Sequence, residues 1–175
     1  DGGIVHLTSL RCLEDLSLAG TSITDAALAT LVAIPTIEDL CLYQTPITDK
    51  GMHHVLKMRD IRDLDLSATG ITDEGLAILG KSSTVRYLRL GDTAVSDEGL
   101  KNLVSNPHIW WLHLDGTGVT DEGIKHIATL KELTEVSLKR TRVTQNGIDQ
   151  LPRSLTRTGK TMLLSSQLCH PSPDK

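Results

Sequence analysis

The stretch "TGITDEGL" occupies residues 69–76, and variants of it stand at 21–28 ("TSITDAAL"), 45–52 ("TPITDKGM"), 93–100 ("TAVSDEGL") and 117–124 ("TGVTDEGI"). The interval is 24 residues each time. Apolar residues upstream keep the same beat: Leu16, Leu40, Leu64, Leu88, Leu112 and Val136, then Leu18, Leu42, Leu66, Leu90, Leu114 and Leu138. Thr21 begins a threonine column that continues to Thr141, and aspartates follow at 25, 49, 73, 97 and 121, with Gln145 breaking the series. Small residues stand at Ala27, Gly51, Gly75, Gly99, Gly123 and Gly147. A fixed period of this length marks a solenoid of stacked supersecondary units.

Written out, the unit is L-x-x-L-x-L-x-x-T-x-I-T-D-E-G-L-x-x-L. It resembles the leucine-rich repeat family, with Thr where that family's pattern has Asn or Cys. The resemblance covers roughly residues 1–151 in six phased units. It is nearest to the repeats of F-box substrate receptors, ribonuclease-inhibitor-like proteins and bacterial repeat proteins. It implies an α/β fold, a right-handed horseshoe solenoid with parallel strands on the concave face and short helices on the convex face. Recognition of a protein or peptide is the general function it implies.

The residues support that architecture on their own terms. Alternation in the L-x-L segment turns Leu16 and Leu18 to one side and Asp15, Ser17 and Ala19 to the other, as in a short strand. Apolar residues three apart, such as Leu76 and Leu79, follow a Thr-Asp-Glu start and predict a helix. A helix of under about 12 residues is marginal alone, so the units must share a core. The Thr-Asp pair is expected to cap its own helix, with the acid favoured by the helix dipole. Glycine inside a helix costs about 1 kcal/mol, and its recurrence at one position predicts close approach of the neighbouring unit. The threonine column is expected to bond backbone groups where the chain leaves the strand.

Composition narrows the possibilities. The 175 residues contain no Phe, two Trp and two Tyr, so aliphatic side chains must fill the core. The net charge of −4, with no basic cluster in the linear sequence, argues against a nucleic-acid partner. Three cysteines without metal or pairing spacing point to a reducing compartment, and the cytoplasm is the expected location. Neither a signal peptide nor a membrane span is evident, and no membrane partner is expected. Asp1, Gly3, Ile4 and Leu7 are in phase with Asp25, Ala27, Leu28 and Leu31, so an incomplete N-terminus is expected. After the array at 1–151, a half repeat plus six repeats, residues 152–166 are expected to form a degenerate cap with a closing strand near Met162–Leu164. A flexible tail is expected at 167–175.

Function must reside in the positions that vary. All four aromatics, Tyr43, Tyr87, Trp110 and Trp111, fall at outward positions of the strand region. Parallel register at about 4.8 Å predicts Tyr87 beside Trp111, and Arg89 between Asp65 and His113. Aromatic and Arg side chains exposed together are the usual anchors of an interface. With Asp115, these residues (Tyr43, Asp65, Tyr87, Arg89, Trp110, Trp111, His113 and Asp115) form the predicted partner-binding set. Acids in the first three units, among them Asp15, Asp39 and Asp63, suit a partner with a basic segment.

Catalytic and metal constellations are weak. His113 and Asp115 lack a nucleophile, and Cys41 has no His in an adjacent strand column. The repeated aspartate column and the group Asp39, Asp63 and Asp65 are the acids to weigh for a divalent ion, and no cofactor or metal is expected. The chain is expected to be a binding module rather than an enzyme. A spacer or assembly subunit joined through open repeat ends, and the recognition arm of an F-box-like ligase or bacterial effector, are the alternatives.

Overall fold

The computed structural model describes residues 1–152 and Leu155. The expected cap and tail therefore lie, Pro152 and Leu155 aside, outside the described residues. A short 3-10 helix, Ile4–Ser9, leads into six strand-helix coils. The strands are β1 (Asp15–Ser17), β2 (Asp39–Cys41), β3 (Asp63–Asp65), β4 (Tyr87–Arg89), β5 (Trp111–His113) and β6 (Glu135–Ser137). The helices are α1 (Asp25–Leu31), α2 (Asp49–Val55), α3 (Asp73–Leu79), α4 (Asp97–Leu103), α5 (Asp121–Ile127) and α6 (Gln145–Ile148).

Every strand pairs in parallel with the next, residue i with residue i+24, giving one open sheet in chain order. Each strand is followed by its helix and each helix by the next strand, which is the right-handed leucine-rich repeat solenoid. The sheet lines the concave face. Three-residue strands and seven-residue helices cannot persist singly, so the aliphatic interior between them sets the stability. In the third coil Leu64, Leu66, Ile71, Leu76 and Leu79 are at most 1% exposed.

Three hydrogen-bonded columns fix the period. Each Thr at the strand exit donates its hydroxyl to the carbonyl three residues earlier, from Thr21 to Leu18 at 2.6 Å through to Thr141 to Leu138 at 2.6 Å. The second column corrects the capping expectation. Where a side chain caps, it is the Thr: Thr24, Thr72 and Thr120 accept from the backbone N–H two residues on, while Thr48, Ser96 and Thr144 make no such bond. The neighbouring Asp serves the next coil instead. Asp25 accepts the Thr48 backbone N–H at 2.9 Å and its hydroxyl at 2.6 Å. The same two bonds join Asp49 to Thr72, Asp73 to Ser96, Asp97 to Thr120 and Asp121 to Thr144, and Asp1 holds Thr24 in this way from outside any α-helix.

The glycine column follows from that clamp. A Cβ on Gly51 would sit 2.6 Å from Asp25 Oδ1, and one on Gly75, Gly99, Gly123 or Gly147 would collide with the carboxylate of the preceding coil. Close approach was legible in the sequence; that the approaching group is a carboxylate was not. The third column is a left-handed residue after each strand. Gly20, Gln44, Ala68, Asp92, Gly116 and Arg140 have φ between 53° and 71°. Four of these are not glycine and bear a conformational cost of about 1–2 kcal/mol each. The N–H groups of Gln44, Ala68 and Asp92 are fixed by the next coil, as with Gln44 to the Ser67 carbonyl at 3.0 Å.

Two outcomes test the clamp. Helix propensity alone predicts that Gly99→Ala stabilises by about 1 kcal/mol. The collision with Asp73 should reverse the sign and cost about 1–3 kcal/mol in urea unfolding. The Thr144 hydroxyl and then its backbone N–H hold the Asp121 carboxyl below its ordinary pKa. A depressed carboxyl contributes stability that is present above its unfolded value and lost as pH falls through its folded value. The thermal midpoint should therefore fall below about pH 4, and Asp121→Asn should blunt that fall.

Candidate concave recognition surface

On the sheet's open face the in-register neighbours are Asp63, Tyr87, Trp111 and Glu135 in one column and Asp65, Arg89, His113 and Ser137 in the next. Leu64, Leu88, Leu112 and Val136, between the columns, point inward and are buried. Alternation along β4 and β5 therefore turns Tyr87, Arg89, Trp111 and His113 outward, and each is half-buried rather than fully exposed.

These four side chains form one layer with their neighbours. The Arg89 guanidinium lies 4.9 Å from the centroid of the Trp111 ring. Trp111 and His113 are stacked, with centroids 5.9 Å apart and planes at 16°. Tyr87 meets Trp110 edge to face at 6.0 Å and 84°. Gly91 admits the imidazole, since a Cβ there would lie 2.7 Å from His113 Cε1. His113 Nε2 is 3.2 Å from Asp115 Oδ2, while its buried Nδ1 has no partner among the described residues.

Three of the predicted site residues are placed differently from expectation. Register puts Arg89 between Asp65 and His113, but its ion pair is with Asp63, diagonally across the sheet. Asp65 is 5% exposed and accepts the Ser67 N–H at 2.8 Å. Asp115 is 7% exposed and accepts the Ser137 hydroxyl at 2.6 Å and the Lys139 N–H at 2.8 Å. Both acids thus build strand exits instead of standing on the surface. Tyr43 lies just beyond β2, and no ring contact joins it to the β4–β5 cluster. Trp110 precedes β5 at the edge of the sheet and is 41% exposed.

Burial raises the Asp63 carboxyl above its ordinary pKa, against the opposing pull of Arg89. A second ion pair crosses a whole coil: both terminal nitrogens of Arg140 reach Asp92, at 2.9 and 3.0 Å. The Asp92 bonds hold the Arg140 guanidinium above its ordinary pKa. Gly116 lies between them, and a Cβ there would collide with Asp92 and sit 3.2 Å from the Arg140 side chain. Nothing in the linear sequence pairs residues 48 apart. Among the described residues no three His, Cys, Asp or Glu side chains are placed to hold a metal ion, and no helix is long and apolar enough to cross a membrane.

The comparisons agree with this geometry. The leucine-rich repeat family model matches residues 57–79 and 81–104. The structure of internalin C2 from Listeria monocytogenes is similar, at 26% identity and a TM-score of 0.62 over 79% of this chain and 57% of that one. A second internalin of that organism, at 21% identity, shares the fold with a TM-score of 0.59 over 93% of this chain and 51% of its own. This chain thus spans little more than half the length of either. No curated protein sequence matches significantly. Two of its coils match the leucine-rich repeat family model, and its fold is the leucine-rich repeat solenoid of these internalins.

Replacing Arg89 tests the electrostatics. In Arg89→Met the nearly buried Asp63 keeps its charge without its cation, which should cost about 3–5 kcal/mol at pH 7. A raised carboxyl gives stability that is present below its unfolded pKa and lost as pH rises through the folded one. The deficit of the variant relative to wild type should therefore shrink between pH 7 and pH 5 in denaturant titrations.

Proposed function

We propose that this chain is a recognition module that binds a protein or peptide on the concave strand face, centred on β4 and β5. The observation that carries this reading is the gathering of Tyr87, Trp110, Trp111, Arg89 and His113 into one contiguous layer. In an interior filled by aliphatic residues these rings serve no packing role that Leu could not fill. Aromatic and Arg side chains fixed in place before binding lose little entropy on association and are enriched among interface anchors. Leucine-rich repeat and internalin folds commonly mediate protein binding, which favours a binding role over catalysis.

The acids Asp15 on β1 and Asp39 on β2 suit a partner whose basic end lies over the first coils. As in the sequence reading, such a module would serve as the recognition arm of a larger bacterial or F-box-like protein. A spacer built through the repeat ends is the competing reading, favoured by the exposed Val5 (55%) and Leu10 (47%) at the first coil.

Peptides selected from a random displayed library against the wild-type chain give the test. Their affinity for a Tyr87→Ala/Trp111→Ala variant that keeps its secondary structure should drop at least about 30-fold, as for two anchors of about 1 kcal/mol or more each. Selected peptides that bind the variant equally well would remove the concave face from consideration. Sedimentation showing concentration-dependent assembly, abolished by Val5→Asp/Leu10→Asp, would favour the spacer.

A further inference from the structure

The chain is acidic overall, yet stacking sorts its charges. The loops that run from helix to strand in the third to sixth coils, residues 56–62, 80–86, 104–110 and 128–134, lie in equivalent places and so along one edge of the solenoid. They carry Lys57, Arg59, Arg62, Lys81, Arg86 and Lys131 against two acids, Asp60 and Glu132. That is six positive charges minus two negative, +4, on a chain whose total is −4. All six cations are exposed. The compensating acids lie chiefly at the helix starts, where Asp73, Glu74, Asp97, Glu98, Asp121 and Glu122 stand. In the linear sequence the cations are scattered among these acids, which is why no basic cluster is visible there.

Trp110 sits within this edge. It is the one large apolar side chain beyond the first coil that is exposed among the described residues. Tyr87 meets it edge to face and steadies it. Arg86 and Glu132, from the loops on either side of its own, pair across it at 3.8 Å, and His108 Nδ1 lies 3.3 Å from Glu132. A steadied, exposed indole ringed by solvated charges has the composition of an interface anchor with its polar rim. Arg62 pairs with Glu38 of the preceding loop at 3.0 Å, which fixes the rim's geometry and brings the excess from +4 to +3 (+4 minus 1).

We infer that the helix-to-strand edge of the third to sixth coils is a second interaction surface, for an acidic protein segment that receives Trp110 in an apolar pocket and meets the basic loops with carboxylates. This surface shares Trp110 with the concave reading, but its cations lie outside β4 and β5. A protein fits better than nucleic acid: Asp60 and Glu132 interrupt the bases along the edge, and a single anchoring ring offers no run of stacking platforms for successive bases.

The test uses Trp110 as its own reporter in a Trp111→Phe background. The probes are a 20-residue glutamate-rich peptide carrying two adjacent leucines, its lysine counterpart, and a 20-nucleotide oligothymidylate. The acidic peptide should shift Trp110 emission to the blue, with affinity falling at least about tenfold from low to high salt. Lys57→Glu/Lys81→Glu/Lys131→Glu, none of which enters an ion pair among the described residues, should weaken it about tenfold or more at an unchanged melting temperature. Trp110→Ala, followed by anisotropy of a labelled peptide, should do the same. The inference is overturned if the acidic peptide fails to bind, if either variant binds it as wild type does, or if the oligothymidylate or the lysine peptide binds as tightly. The concave reading is separable, because Trp111→Ala, which leaves Trp110 and Tyr87 in place, should still bind the acidic peptide.

Discussion

The interaction on which this structure rests is the pair of hydrogen bonds from one coil's helix-capping residue to the aspartate of the coil before it. Six such clamps run from Asp1–Thr24 to Asp121–Thr144. Each uses both carboxylate oxygens, so each fixes the orientation as well as the distance of the next helix. Charge-assisted bonds of this kind are about twice as strong as neutral ones. They act where seven-residue helices have almost no stability of their own. The glycine column is their steric consequence, because the carboxylate occupies the space a Cβ would need.

Once the clamp, the threonine column and the aliphatic interior are satisfied, few positions per coil remain uncommitted. They are the outward strand residues and the loop between helix and strand, and both vary from coil to coil. The strand positions collect rings and a guanidinium at β4 and β5, while the loops collect lysines and arginines. Neither collection costs the scaffold anything, since none of these side chains closes a coil. The exceptions are Asp65 and Asp115, which occupy strand-face positions but bond backbone at the strand exits.

Charge is where linear order misleads most. Within one repeat, acids at the helix start and bases after the helix end are about ten residues apart and average to near neutrality in any window. Stacking separates them onto different sides of the solenoid, and an acidic chain acquires a basic edge. At the Debye length of roughly 8–10 Å in physiological salt, a partner approaching that edge meets its local charge more than the net charge.

The sequence by itself determined the period, the strand and helix of each coil, the inward leucines, the close approach at the glycines and the side-by-side placement of Tyr87 and Trp111. These follow from local alternation and from repetition, which any single chain displays openly. Only the tertiary structure decided that aspartate clamps the following coil rather than capping its own, that Arg89 chooses Asp63 over Asp65, and that Asp92 reaches Arg140. The left-handed residue in each coil was likewise hidden, because Gln44, Ala68, Asp92 and Arg140 do not advertise it. The physical reason is common to all of these: the partners are 23 to 48 residues apart, and the choice among neighbouring carboxylates depends on burial and direction, quantities that exist only after the coils have stacked.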